Sequence, residues 1–159
     1  MSYQPIEEFM KLAIDDAQFN LKMTTGGPFG ACIVKNGDIL SISRNTVLAE
    51  DATCHAEINA IRTASRMLGT YNLQDCVIYS TTEPCPMCFS AIHWARIPTI
   101  IYGTSIEDAL NAGFNELTIS NETMKQLGNS SVEIISGFMR DECMELFTEW
   151  MRSKSNITY

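Results

Sequence analysis

The stretch TCHAEINAI, residues 53–61, sets a histidine two residues ahead of a glutamate, and farther along EPCPMC sets Cys85 three positions before Cys88. The chain has only two histidines. One imidazole and two thiolates form a three-ligand set suited to zinc, and a zinc with three protein ligands keeps its fourth tetrahedral position open for water. An open position is the arrangement of a catalytic ion rather than a structural one. The spacing therefore points to His55, Cys85 and Cys88 as ligands and to Glu57 as a proton carrier beside them. Lowering the pKa of water from 15.7 to about 7 makes hydroxide available at neutral pH, worth roughly 12 kcal/mol less the lost nucleophilicity of a bound hydroxide. Acid–base help from Glu57 adds about 3 to 5 kcal/mol.

Other readings of these residues stay open. A C-x-x-C pair alone divides among a redox dithiol, a metal site and coincidence. A structural zinc needs a fourth protein ligand, and His93, five positions beyond Cys88, lies about 140° around the helix from it. His93 is accordingly read as a packed or surface histidine. A zinc-stabilised binding protein without catalysis is the remaining alternative.

Such a site needs helix ends to hold it. Apolar Ile58, Ile61, Ala64 and Leu68 recur at helical spacing, which predicts a helix from Cys54 to the C-cap Gly69, with His55 at or before its cap. Pro86 suits a first helical position, so CPMCFSAIHWARI reads as a helix with Cys85 at its N-cap. The strands DCVIYST and TIIYGTS flank it as a parallel βαβ unit. Upstream, Ile6, Met10, Ala13, Ala17 and Leu21 predict a helix over roughly the first twenty residues, and FGACIVK and DILSISR form a hairpin about Asn36-Gly37. A helix near 105–112, a strand near 132–136 and a helix over 138–153 complete one domain, residues 1–159: an α/β fold with one mixed sheet and helices on both faces.

Eleven basic against nineteen acidic residues give a net charge of −8, which disfavours nucleic acid as a partner. The basic residues near the end are confined to RSK, 152–154. The N-terminal residues lack a secretory pattern, and no apolar run reaches the length of a membrane span. The expected setting is a reducing, cytoplasmic one, where Cys32, Cys54, Cys76 and Cys143 serve as small buried hydrophobes.

H-x-E followed by P-C-x-x-C is the zinc deaminase pattern. With GGPFGACIV, CHAEINAIR, AIHWARI, IYG and NAGF in order, the chain resembles the cytidine deaminase-like superfamily and looks most like the bacterial guanine deaminases. The resemblance implies a three-layer α/β/α sandwich on a five-stranded mixed sheet, zinc on His55, Cys85 and Cys88, and a homodimer. It implies hydrolysis of guanine to xanthine and ammonia, with Glu57 moving protons. Asn45 matches the family's base-contacting asparagine, or ends its strand. Phe29 flanks the base, or belongs to the core.

The chain departs from the pattern at Asn115 and Glu116, where guanine deaminases usually have two aspartates, and at Ala52 and Cys54. Glu116 accepts the two adjacent donors of guanine from a longer arm, or is an exposed helix-end residue. Tyr159 and Trp150 close a lid over the site, or simply pack. Trp94 lines the pocket, or joins a subunit contact. Guanosine, another amino-heterocycle and tRNA adenosine remain the alternative substrates.

Overall fold

Strand alternation organises the whole molecule. The computed structural model describes residues 2–153 and 156–159, and Lys154 of the basic run lies outside them. Five strands form one sheet in the order β2-β1-β3-β4-β5: β1 (Gly30–Lys35), β2 (Asp38–Arg44), β3 (Cys76–Thr82), β4 (Thr99–Thr104) and β5 (Glu133–Ile135). β1 runs antiparallel to both β2 and β3, whereas β3, β4 and β5 are parallel. Because successive side chains of a strand point to opposite faces, β1 sends Ala31 and Ile33 one way and Cys32 and Val34 the other. Ile78 and Ile100 join the first core, with Tyr79 and Ile101 in the second.

Helices cover both faces. α2 (Ala56–Leu68) and α3 (Pro86–Trp94) bring Ala56, Ala60, Ala64, Phe89 and Ile92 to the first core. α1 (Glu7–Gln18) and α6 (Arg140–Arg152) bring Phe9, Met10, Ala13, Cys143 and Leu146 to the second. The architecture is thus the expected α/β/α sandwich. α1 lies so close to β1 that a Cβ on Gly30 would meet the Ala13 carbonyl oxygen at 2.0 Å. Any side chain there would force the helix off the sheet.

Local signals act as the sequence reading expects. Asn36 and Gly37 take φ of 51° and 88° at the β1–β2 turn, the positive angles of a tight hairpin. Gly69 ends α2 in the left-handed region, at φ 67°. The first helix is shorter than the apolar periodicity suggests: it starts at Glu7 and passes into a 3-10 turn, Phe19–Leu21. α4 (Ile106–Asn111) falls where the 105–112 helix is expected.

The sequence reading misses α5 (Asn121–Leu127), a helix too short to show an apolar stripe, although Ser120 caps it by accepting from the Thr123 N–H. Among the described residues, no helix is long and apolar enough to cross a membrane. The cysteines read as buried hydrophobes are buried: Cys32, Cys54, Cys76 and Cys143.

Candidate active site

The N-termini of α2 and α3 meet behind the end of β3. His55 is the N-cap of α2, at φ −64° and ψ 156°, and Cys85 is the N-cap of α3, with Pro86 first in the helix. Pro86 fits because the N–H it lacks would have had no acceptor within the helix. One turn in, Cys88 returns beneath Cys85. The ligand atoms of His55, Cys85 and Cys88 all lie within 4.8 Å of one another.

This spacing suits a metal. Zinc holds nitrogen at about 2.0 Å and sulfur at about 2.3 Å, which in a tetrahedron separates the two by about 3.5 Å. The His55 Nδ1 to Cys85 Sγ distance is 3.6 Å. His93 is exposed at the far end of α3, with its ring against Trp94, and does not enter the cluster.

Glu57 is only 6 % exposed. Its Oε1 accepts from the Ser80 hydroxyl at 3.0 Å and its Oε2 from the Cys88 thiol at 3.4 Å. A helix turns by about 100° per residue, which would part positions 55 and 57 in a helix interior. The extended backbone of the cap residue removes that conflict and lets both side chains reach the same cavity.

The charges here press against one another. The Cys85 thiol is brought down to about 4, chiefly by a hydrogen bond from Cys88 and then by the one with His55. Cys88 is pushed well up by that same bond to Cys85, by burial and by Glu57. Burial raises the Glu57 carboxyl, with His55 pulling the other way. Burial also opposes charge on His55, yet the Cys85 bond and Glu57 leave its pKa raised. Glu116 is pushed up to about 7 by burial and then by the negative charge of Cys85. Acidic groups thus crowd one pocket, and this donor set fits a divalent cation, which coordinates thiols as thiolates.

The cavity, about 280 Å³, is lined by His55, Glu57 and Cys85 together with Phe29, Asn45, Phe114, Glu116 and Tyr159. Asn45 is held in place by its backbone: its N–H donates to the Phe29 carbonyl at 3.1 Å, and its carbonyl accepts from the buried Asn20 side chain at 2.8 Å. Its Oδ1 accepts from the Val47 N–H at 3.1 Å. Phe29 borders the cavity and packs edge-on against Phe114 and Phe147 at 4.9 and 5.8 Å. Tyr159 stacks edge-on against Phe114, and its hydroxyl accepts from the Gly27 N–H at 3.1 Å.

Two expected residues lie elsewhere. Trp94 is 68 % exposed, at the end of α3 farthest from the ligands, beside Met124 and Gly128, so it does not line the cavity, which leaves the subunit-contact reading. Its helix points its N-terminus, not its C-terminus, at the site. Trp150 is buried behind Phe114, at 5.9 Å between rings, and supports the wall rather than facing the cavity. The sequence reading also overlooks Ser80 and Glu83. Their only local signal is a polar run, STTE, closing an otherwise apolar strand.

The sequence profile of the cytidine and deoxycytidylate deaminase zinc-binding region matches residues 3–104. The chain belongs to this family. It is a hydrolytic aminohydrolase. The guanine deaminase of Bacillus subtilis (strain 168) is 45 % identical to this deaminase over 120 residues, 75 % of this chain and 77 % of that one. Its X-ray structure superimposes with a TM-score of 0.67 over 71 % of this chain and 73 % of that one. A tRNA-specific adenosine deaminase of the same organism is 32 % identical over 149 residues, 92 % of this chain and 88 % of that one. A guanine deaminase from Nitrosomonas europaea, 24 % identical, shares the deaminase fold at a TM-score of 0.83 over 96 % of this chain and 87 % of that one.

Proposed function

We propose that the chain is a zinc-dependent guanine deaminase, converting guanine and water to xanthine and ammonia. The observation that carries this reading is the Glu57 carboxylate buried beside the His55, Cys85 and Cys88 cluster in a cavity with Asn45 and Glu116 on its walls. The 45 % identity to a guanine deaminase supports the choice of base.

His55, Cys85 and Cys88 would hold zinc, which when bound supplies the Lewis acidity that lets water attack at neutral pH. Glu57 does the proton work. Its carboxylate takes a proton from the attacking water and passes it to a ring nitrogen as oxygen adds at C2, then carries the second proton of that oxygen to the 2-amino group, which leaves as ammonia when the C2–N bond breaks. Ser80 fixes the Oε1 edge of that carboxylate. Glu116 accepts from guanine's N1–H and 2-amino group, and Asn45 offers donors and an acceptor to the remaining ring edge. Phe29 and Phe114 give the ring apolar surface, and Tyr159 covers it.

RNA adenosine is the competing reading, supported by the relatives that act on tRNA. The net charge of −8 counts against it, because an RNA substrate needs phosphate contacts. Ammonia release from guanine, guanosine and an adenosine-containing anticodon stem-loop separates the readings. Turnover of guanine alone is the expected result, and turnover of RNA alone defeats it. A homodimer belongs to the same reading, supported by the exposed Trp94. Action in the cytoplasm belongs to it as well, supported by six cysteines none of which is paired in a disulfide.

A further inference from the structure

The Glu83 carboxylate is 7 % exposed and takes one backbone N–H at each oxygen: Ile106 at Oε2, 3.0 Å, and Asn121 at Oε1, 2.8 Å. These are the first residues of α4 and α5. First-turn N–H groups have no partner inside their own helix, and the partial positive charge there complements a carboxylate. Ser105 and Ser120 already cap the third-position N–H of each helix, so Glu83 answers donors that the local caps leave over. The neighbouring backbone tightens the join. Asn121 Nδ2 donates to the Pro84 carbonyl at 2.6 Å, and the Glu83 N–H donates to Thr104 at 2.7 Å.

Between these two anchor points runs the connection that carries Phe114 and Glu116 to the cavity, and its residues 114–120 have no regular structure. Glu83 borders the same cavity, yet both its oxygens are engaged by backbone donors. We propose that Glu83 is a positioning residue that fixes the Phe114–Glu116 wall relative to Glu57 and so governs substrate affinity rather than the chemical step. The choice of guanine as probe rests on the function proposed above; the clamp itself does not.

The test uses the full-length, zinc-loaded protein with Glu83→Gln and Glu83→Ala. Glutamine offers one carbonyl oxygen in place of two acceptors, so one helix start loses its partner. Hydrogen exchange at the amides of Ile106 and Asn121 is expected to rise roughly tenfold at one of them in Glu83→Gln and at both in Glu83→Ala. KM for guanine is expected to rise about tenfold, with kcat within about threefold and zinc content unchanged. Unchanged exchange in Glu83→Gln overturns the clamp, and Glu83→Gln decides if Glu83→Ala does not fold. A fall in kcat with unchanged KM overturns the role in affinity. If the unmodified protein does not turn over guanine, the substrate assignment fails, and the exchange measurement still decides the clamp.

Discussion

The Ser80 hydroxyl lies 3.0 Å from the Glu57 carboxylate and 2.6 Å from the Thr82 carbonyl, and it has one proton to give. When that proton points to Thr82, the Ser80 oxygen is left to accept from a protonated Glu57. The rotor therefore suits both protonation states of the glutamate. Ser80→Ala removes it and is expected to lower kcat about tenfold, as befits a hydrogen bond to a charged group, with zinc content unchanged. Steady-state kinetics with metal analysis checks this, and an unchanged kcat would leave Ser80 a packing residue.

Glu57→Ala is expected to keep zinc and fold while losing about 10²- to 10⁴-fold in turnover. Stability should move the other way in metal-free protein. Burial raises the folded pKa of Glu57, so below the unfolded value the group costs nothing electrostatically, and stability falls as pH rises from there toward the folded value. Glu57→Gln should raise the Tm of the metal-free protein at pH 7, by about 2–4 °C for each kcal/mol relieved. Equal Tm values at pH 4 and a gain at pH 7 are the signature. No gain at pH 7 would mean that the carboxylate is not strained by its burial.

Removing the metal should abolish activity, and added zinc should restore it. Native mass spectrometry is expected to find one zinc per chain, and Cys85→Ser or His55→Ala should lose it. Retained activity in a strong chelator, with no metal found, would refute the zinc reading.

The parts of this site that could be read in advance are those governed by short-range rules. Pro86 marks a helix start wherever it falls, and that start fixes Cys85 and Cys88 one turn apart. The cap geometry of His55 likewise follows from the apolar period of the helix after it. Ser80 and Glu83 obey no such rule. Ser80 meets Glu57 across 23 positions, and Glu83 meets Ile106 and Asn121 across 23 and 38, so their work appears only once the chain has folded. Trp94 stays out of the cavity for a related reason: sharing a helix with the ligands does not place a residue at the same end of it.

Asp108 offers a test at the rim. It completes the capping box of α4 and is paired with Arg140, and the guanidinium, aided by Ser105, holds its carboxyl well below the ordinary range. A depressed folded pKa gives stability that is present above the unfolded value of about 3.9 and lost as pH falls below it. Arg140 is half exposed, so solvent screening limits the pair to about 1 kcal/mol. Arg140→Ala should cost about that much at pH 7 and clearly less at pH 2, measured by urea unfolding. An equal cost at both would assign the loss to packing.

The absent methyl of Gly30 has a consequence for how the chain finds its alignment. β1 is apolar on both faces, so a slip by one position would merely exchange two greasy rows, and burial alone would scarcely object. Hard contact objects instead: such a slip would bring Ala31 beneath the Ala13 carbonyl, where even a single carbon stands 2.0 Å from oxygen. The alignment of β1, and with it the placing of Asn45 at the end of the hairpin, is guarded by the one position that has nothing to bury.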